Sequence, residues 1–479
     1  MESSLKNKTA KGLLWGGISN LLQQCLNAAF GIFLARMLSE SDYGMIGMLT
    51  VFILIASSLQ EYGFTNALAN QDEIREGDYN AVFWFSLFMG IALYVILFLF
   101  APLVARFYHQ PVLQSLLRYL SLSFVFSSTA TAHNAIMFKK LMVKQKSISQ
   151  LLALCVSGTI GLVMAFHNMA YWGLATQTVS YTFVYALLMW CQSPWKPKFH
   201  FDFSPIRKMF GFSSKMLLTN IFQQVNNNIF SILLGRLYTP ATVGFYTQAN
   251  KWENMVHNTI SAMITGVAQP VLRDVNDDKE RQRNVFRKML RFTAFISFPA
   301  MFGLALISKE FIVITVTEKW LNCVPLLRLL CIWGAFQPIT LLYTNMIISK
   351  GKSNVYLYNN IAIGLVQLIV LLLVHSLGIT YMIMAFVTIN VGWLLIWQYF
   401  VKRYISLSLF QALKDILPFF AIAFTTMVIC HYSTIGITNI YILMTVRVIA
   451  AAVIYALVMK LLNAEILNEC LNYLKKTKK

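Results

Sequence analysis

The sequence has few charged residues, and acidic residues are the scarcest of them. Aspartate and glutamate together number 19 and lysine and arginine 39, so charged residues make up only 12% of the 479 positions. A soluble domain carries about a quarter of its residues as charges. Hydrophobic residues reach 57%. The composition excludes an ordinary soluble domain and predicts a polytopic membrane protein, because a helix needs about 20 apolar residues to cross a bilayer.

Motifs typical of metal proteins and nucleotide-binding enzymes are missing. The seven cysteines include no CxxC pair, so neither a metal site nor a disulfide framework is indicated. No P-loop, dinucleotide fingerprint, HExxH or GxSxG occurs, and we expect no cofactor. The net charge of +20 would suggest nucleic acid in a soluble chain. Here the cations lie in short loops between apolar runs, where positive charge sets topology, so we expect no nucleic-acid partner.

Apolar segments recur along the whole chain and predict about fourteen membrane-spanning helices. One set of alternate loops holds most of the lysine and arginine, and both termini fall on the same side as these loops. By the positive-inside rule, that side is cytoplasmic. No outer loop is long enough for a catalytic domain. The predicted spans are 12–38, 44–67, 80–105, 114–138, 148–166, 169–191, 212–235, 244–269, 292–316, 324–348, 355–375, 379–400, 415–433 and 440–462.

The sequence repeats itself at a constant offset of 200 residues. Ser19-Asn-Leu-Leu-Gln-Gln-Cys-Leu-Asn27 aligns with Thr219-Asn-Ile-Phe-Gln-Gln-Val-Asn-Asn227, and the register continues without a gap to Gly44 and Gly244. Six spans separate matching positions, so the two copies have the same orientation and are related by an axis along the membrane normal. We predict an all-α fold with two parallel six-helix lobes around a central cavity, plus two C-terminal helices. The predicted boundaries are 1–200, 201–405 and 406–479, the last including a basic cytoplasmic tail.

Polar side chains inside the predicted spans mark surfaces that avoid lipid, because each costs free energy unless it faces a cavity or another helix. Amides on the first span recur at three- and four-residue spacing, which places them on one helical face, and the seventh span repeats the pattern. Amides in a cavity would suit sugar hydroxyls. Amides that join packed helices give the same pattern, and both interpretations stay open. The residues are Asn20, Gln23, Gln24, Asn27, Asn220, Gln223, Gln224 and Asn227.

The eighth predicted span is the most unusual. Lys251 and His257 could hold a phosphate-bearing substrate, the lysine as a point charge and the imidazole as a proton-sensitive donor. Glu253 precedes His257 by four residues, so these two could instead pair with each other. The aligned second span keeps Glu61, and we expect any anion site to be lopsided toward the second lobe. The other polar residues of the eighth span are Thr247, Asn250, Asn254, Asn258 and Ser261.

Several segments resemble bacterial oligosaccharide flippases of the Wzx type. They include Gly12-Leu-Leu-Trp-Gly-Gly17, the turn between Leu34 and Gly44, and Gly244-Phe-Tyr-Thr-Gln-Ala-Asn-Lys251. The pattern is most similar to the lipopolysaccharide and colanic-acid exporters, within the superfamily that also contains multidrug and toxin extruders. The order and spacing of these segments extend the resemblance over nearly the whole chain.

The resemblance implies a transporter, not an enzyme, that moves undecaprenyl-pyrophosphate-linked oligosaccharide across the bacterial inner membrane by alternating access of two lobes. The chain would contact membrane lipids, and transport would be driven by an ion gradient, with protons or sodium as the candidate ions, by the membrane potential or by the substrate's own gradient. Such proteins often carry an acidic residue on the seventh span where this chain has Phe230, which argues against cation coupling through that helix. One alternative is an ion-coupled multidrug or small-solute antiporter, for which Glu61 and Glu253 are candidate residues. The other is a membrane polysaccharide polymerase or ligase, against which the short outer loops argue.

Overall fold

The structure is a computed structural model that describes residues 2–69, 76–199, 224–226, 228–275, 278–462 and 466. Fifteen α-helices account for most of these residues, and the described chain contains no strand. The predicted all-α polytopic fold is confirmed. The helices are α1 (Glu2–Met37), α2 (Glu40–Ala69), α3 (Glu76–Tyr108), α4 (Val112–Leu120), α5 (Leu122–Lys139), α6 (Val143–Phe166), α7 (Tyr171–Gln192), α8 (Asn228–Leu237), α9 (Pro240–Asp274), α10 (Lys279–Val316), α11 (Cys323–Ser349), α12 (Ser353–Val374), α13 (Ile379–Ile405), α14 (Leu409–Ser433) and α15 (Ile440–Leu461).

Ten of the described helices are long and apolar enough to cross a membrane, so the chain is a multi-pass membrane protein. The span predicted at 114–138 is interrupted at Ser121, which separates α4 from α5. The Ser121 hydroxyl donates to the Arg118 carbonyl at 2.8 Å, a local bond that competes with regular helix geometry. The total of fourteen spans stays a prediction. The described helices outside the ten are α4, α5, α7, α8 and α9.

The helices form two compact units, Met1–Gly244 and Phe245–Lys479. In the first unit, α6 packs along α1 and α7, and α3 packs along α5. In the second unit, α10 is the central helix, because α11, α14 and α15 all pack against it. The two C-terminal helices are therefore joined to the second unit through α10. The boundaries inferred from the repeat stay a prediction.

Two glycines that the repeat aligns lie where the start of α2 meets the start of α9. A Cβ added to Gly44 would overlap the carbonyl of Pro240, and one added to Gly244 would overlap the carbonyl of Glu40. Glu40 and Pro240 are themselves 200 residues apart. A carbonyl oxygen at the start of each helix therefore contacts the glycine of the other helix. Only a residue without a side chain allows two backbones to approach this closely.

The start of α14 is fixed by a capping box, which gives a first testable prediction. The backbone amide of Gln411 donates to Ser408 Oγ at 3.2 Å, and the amide of Ser408 donates to Gln411 Oε1 at 3.1 Å. Ser408→Ala leaves one helix-terminal amide without its acceptor, so we expect the free energy of unfolding to fall by about 1 kcal/mol. The measurement is the melting temperature in detergent. Ser115→Ala, an exposed serine whose hydroxyl only donates to the Val112 carbonyl, is the control and should melt like the parent. Equal melting of both variants would contradict the role of the cap.

Candidate functional site

One face of α9 carries a continuous row of polar side chains. At about 100° per residue, the members of this row fall within about 100° of one another around the helix axis. All of them are at least partly accessible, and Asn258 is exposed. The Nδ2 of Asn254 donates to the carbonyl of Asn250 at 2.7 Å, one turn earlier on the same face. We call this row the α9 polar stripe, and it consists of Thr247, Asn250, Lys251, Asn254, Asn258 and Ser261.

Lys251 supplies the charge of the α9 polar stripe. Its side chain is half-buried, and its ammonium lies 5.4 Å from the ring centroid of Trp252. Aromatic faces attract cations, so this contact holds the amine in place without neutralising it. In the described part of the chain, Lys251 forms no ion pair with a carboxylate. The stripe thus combines one unneutralised cation with amides and hydroxyls, which suits an anionic group attached to a hydroxyl-rich molecule.

Glu253 and His257 lie beside the α9 polar stripe, toward the buried side of α9. The Nδ1 of His257 is 2.9 Å from Oε1 of Glu253, and the two residues are only 4% and 3% exposed. Glu253 contacts the interior of the second unit, next to Gly334 of α11 and Met301 of α10. Of the two interpretations of the sequence, pairing is the arrangement that the structure contains. A role for either side chain as a substrate ligand stays a prediction.

The amides of α1 take two different positions. Gln23 Nε2 donates to Ser19 Oγ at 3.0 Å and to Gln150 Oε1 of α6 at 3.4 Å, so this side chain joins two packed helices. Asn20, Gln24 and Asn27 are exposed and lie within about 60° of one another around the axis. The first unit therefore holds one bridging amide and three accessible ones that a ligand could contact.

The matching amides before α8 are described only in part. Gln224 is half-buried, and its carbonyl accepts a bond from Asn228 Nδ2 at 2.9 Å. Phe230, at the position where the resemblance leads one to look for an acid, is 1% exposed. The backbone of Glu61 belongs to α2, but its side chain lies outside the described residues, as do Asn220, Gln223 and Asn227.

His133 of α5 belongs to an aromatic core. The rings of Phe83, Trp190 and Trp195 surround it, with centroids 6.4, 5.2 and 5.5 Å away. The residue is fully buried, and neither ring nitrogen has a hydrogen-bond partner among the described residues. An imidazole enclosed in this way packs as an aromatic ring and offers nothing to a ligand.

A buried ion pair in the second unit was missed by the sequence reasoning. Arg447 of α15 donates to Oε1 of Glu310 on α10 at 2.9 Å, and both side chains are about 5% exposed. The arginine also donates to Thr434 Oγ1 at 3.0 Å. The available signal was one charge of each sign inside otherwise apolar spans, which requires a partner. The pair ties α15 to α10.

Comparison with known proteins places the chain in a family. Residues 33–325 match the family described as "Polysaccharide biosynthesis protein". The chain is 29% identical over 357 residues to an uncharacterized membrane protein in the cps region of Klebsiella pneumoniae, a match that covers 73% of each chain. It is 26% identical over 358 residues to the lipopolysaccharide biosynthesis protein WzxC of Escherichia coli (strain K12), covering 74% of this chain and 72% of that protein.

The fold is also present among solved structures. The lipid II flippase MurJ in its inward closed conformation aligns with a TM-score of 0.76 at 13% identity, covering 94% of this chain and 99% of that one. At this identity the match shows the fold alone. Together with the sequence relatives, it confirms the resemblance that the motifs indicated. The chain belongs to the polysaccharide biosynthesis protein family.

Proposed function

We propose that this protein flips undecaprenyl-pyrophosphate-linked oligosaccharide from the cytoplasmic to the outer leaflet of a bacterial inner membrane. The product would serve lipopolysaccharide, capsule or exopolysaccharide assembly. The observation that carries the proposal is the α9 polar stripe with its unneutralised Lys251, in a member of a polysaccharide biosynthesis family. A multi-pass membrane protein with such a surface is suited to transport, not to catalysis.

The chemistry of the stripe matches the two polar parts of such a substrate. Sugar hydroxyls both donate and accept hydrogen bonds, as do the amides Asn250 and Asn254. A pyrophosphate is a dense anion, and an ammonium such as Lys251 binds it as a point charge. We propose that two lobes alternate access to the substrate, while the polyprenyl tail stays in lipid, because moving it out of the bilayer core would cost about 0.8 kcal/mol per CH₂.

The location of the loops supports a defined topology. The lysine- and arginine-rich segments 139–146 and 273–291 belong to the set of loops that the positive-inside rule assigns to the cytoplasm. We propose that both termini share this side. Cysteine accessibility to a membrane-impermeant reagent, measured at single cysteines placed in these segments in intact cells and in inverted vesicles, would test the assignment.

Lys251→Gln is expected to lower glycan export by about 10- to 100-fold while the protein level in the membrane stays normal. Loss of one charge-assisted contact to the pyrophosphate corresponds to about 1.5–3 kcal/mol, which gives this range. The measurement is surface glycan in a deletion strain that carries the variant gene. The matched control is Lys319→Gln, because the Lys319 ammonium also lies over the following tryptophan ring, at 5.9 Å, but outside the stripe. Export that is equal in the two variants would remove Lys251 from the substrate site.

The function itself is tested by mass spectrometry of lipid-linked intermediates in the deletion strain, together with an assay of the leaflet that they occupy. We expect a complete undecaprenyl-linked oligosaccharide to accumulate on the cytoplasmic side, and the intact gene to reverse this. If no lipid-linked sugar accumulates and surface glycans are unchanged, flipping is contradicted. A changed susceptibility to several unrelated cationic drugs would then favour the antiporter alternative.

A further inference from the structure

We propose that the first turns of α10 bind the phosphate headgroups of acidic phospholipids in the leaflet on that side of the membrane. These turns belong to the segment 273–291, which the positive-inside rule assigns to the cytoplasm. The site contains no residue of the α9 polar stripe. It can be tested by lipid binding alone, so its outcome does not depend on the proposed function.

The second copy of the repeat is longer than the first copy in this region. The offset between matching residues is 200 at Gly44 and Gly244 but 210 at Arg118 and Arg328, so ten residues are added in between. The structure describes 38 residues in α10 and 33 in α3, which the repeat aligns with α10. At 1.5 Å per residue, α10 is about 57 Å long, whereas the apolar core of a bilayer is about 30 Å thick. Part of α10 therefore extends beyond the apolar core.

The first turns of α10 are strongly basic. Residues 281–291 include five cations and no acid, whereas residues 292–308 carry no charge at all. The first thirteen residues of α3 contain two acids and no cation. The positive charge is thus a property of the longer second copy and is not shared by the two copies. The five cations are Arg281, Arg283, Arg287, Lys288 and Arg291.

Four polar side chains form a row on the outward face of α10. Their spacing of three, four and three residues places them within about 80° of one another around the helix axis. Three of them are exposed, and the side chain of Arg291 is 33% exposed. Arg281, Asn284 and Lys288 line one shallow groove. We call this row the α10 basic row, and it consists of Arg281, Asn284, Lys288 and Arg291.

Two acids that line the same groove have partners of their own. Asp278 Oδ1 accepts from the backbone amides of Glu280 and Arg281 at 2.9 and 3.0 Å, which caps the start of α10. Glu280 Oε1 accepts from the guanidinium of Arg283 at 3.4 Å. Because the amides at the helix start are bonded to Asp278, an anion in the groove would be bound by the side chains of the row.

Asp415 of α14 positions the end of the row that is nearest the apolar run. Arg287 donates to both oxygens of this buried carboxylate, at 2.6 and 3.1 Å. Arg291 Nε lies 3.7 Å from Asp415 Oδ1. One carboxylate therefore faces two arginines, and Asp415 and Glu280 together can offset two of the five charges. The ion pairs with Asp415 also hold this part of α10 against α14.

The place of the row favours a phospholipid over a soluble anion. Phe292 directly follows Arg291, is 40% exposed and begins the uncharged run of α10. A ligand at the row therefore lies at the boundary between water and the apolar core, which is where the phosphate of a phospholipid lies. Arginine binds phosphate oxygens through several donors at once, and lysine binds them as a point charge. Basic residues at this level attract acidic lipids.

The proposal is tested by native mass spectrometry of the purified full-length protein in detergent, with phosphatidylglycerol or phosphatidylcholine added. We expect the parent to bind phosphatidylglycerol more tightly. The double variant Arg281→Gln, Lys288→Gln should weaken this binding by about 30-fold, given the usual attraction of two basic residues to acidic lipid. The matched control is Lys402→Gln, Arg403→Gln, which removes two exposed cations from the last turn of α13 and should leave binding unchanged.

The melting temperature shows whether the double variant in α10 is folded, and we expect that of the parent because both side chains are exposed. If the double variant fails to accumulate, each single variant should still weaken binding by about fivefold. Parent-like binding of phosphatidylglycerol in the α10 variants, or an equal loss in the α13 control, would overturn the proposal. Inorganic phosphate that displaces the lipid at equal phosphate concentration would identify a site for free anions and overturn the lipid assignment. None of these outcomes bears on flipping, which the leaflet assay decides separately.

Discussion

Replacing Arg447 with alanine is expected to lower the free energy of unfolding by about 3–5 kcal/mol, enough to leave little protein in the membrane. Alanine would leave Glu310 as a buried charge without its partner, since the two side chains are only 6% and 5% exposed. It would also remove the bond to Thr434, which lies just after the end of α14. Membrane level and the melting temperature in detergent measure the effect.

Two further variants test whether the loss of stability in Arg447→Ala comes from the unpaired buried charge. Arg283→Ala breaks the ion pair with Glu280, which is 3.4 Å long and largely exposed, and should change stability by well under about 1 kcal/mol. The double variant Arg447→Met, Glu310→Leu removes both charges and should recover most of the lost stability, because no charge is then buried alone. If Arg447→Ala melts like Arg283→Ala, the buried pair does not hold α15 to α10.

Gly44→Ala is expected to be the second most damaging single change. Its new methyl group would overlap the Pro240 carbonyl, and the starts of α2 and α9 would have to move apart. Forced overpacking costs about 1–3 kcal/mol, and more where the neighbour is backbone that cannot turn away. Membrane level and the melting temperature in detergent again give the readout.

The control for Gly44→Ala is another helical glycine with open space around it. A Cβ at Gly77, in the first turn of α3, would meet no atom within 4 Å. Alanine is the better helix former, so Gly77→Ala should raise stability by about 0.5–1 kcal/mol, opposite in sign to Gly44→Ala. Gly244→Ala should repeat the loss, because it meets the Glu40 carbonyl in the same way. A gain in stability in Gly44→Ala would show that the close approach is absent.

Much of the fold could be predicted from the sequence because a helix that crosses the bilayer needs a run of about 20 apolar residues. Runs of apolar residues mark the helices, and the 200-residue offset aligned Gly44 with Gly244, which the structure brings into matching contacts. The interruption at Ser121 could not be predicted in this way. It is a break of one residue within an apolar run, and an average over 20 residues does not detect a change of that length.

The candidate site could be predicted only in part. Four-residue spacing on a helix predicts that Glu253 and His257 can meet, and they do so at 2.9 Å. The spacing does not show which face is enclosed, because that depends on Gly334, a residue 81 positions after Glu253 along the chain. The ion pair of Glu310 and Arg447 could not be predicted for the same reason, because the two residues are 137 positions apart in the chain.

The polarity of α9 affects how this helix inserts into the membrane during synthesis. In the described chain, α9 is not among the helices that are apolar enough to cross a membrane on their own. Lysine and acidic residues each add about 2.5–3.5 kcal/mol to the cost of inserting a helix centre through the translocon. The helices that enclose Glu253 on its buried side, α10 and α11, are synthesised after α9. We therefore expect stable insertion of α9 into the bilayer to require that α10 and α11 have been synthesised.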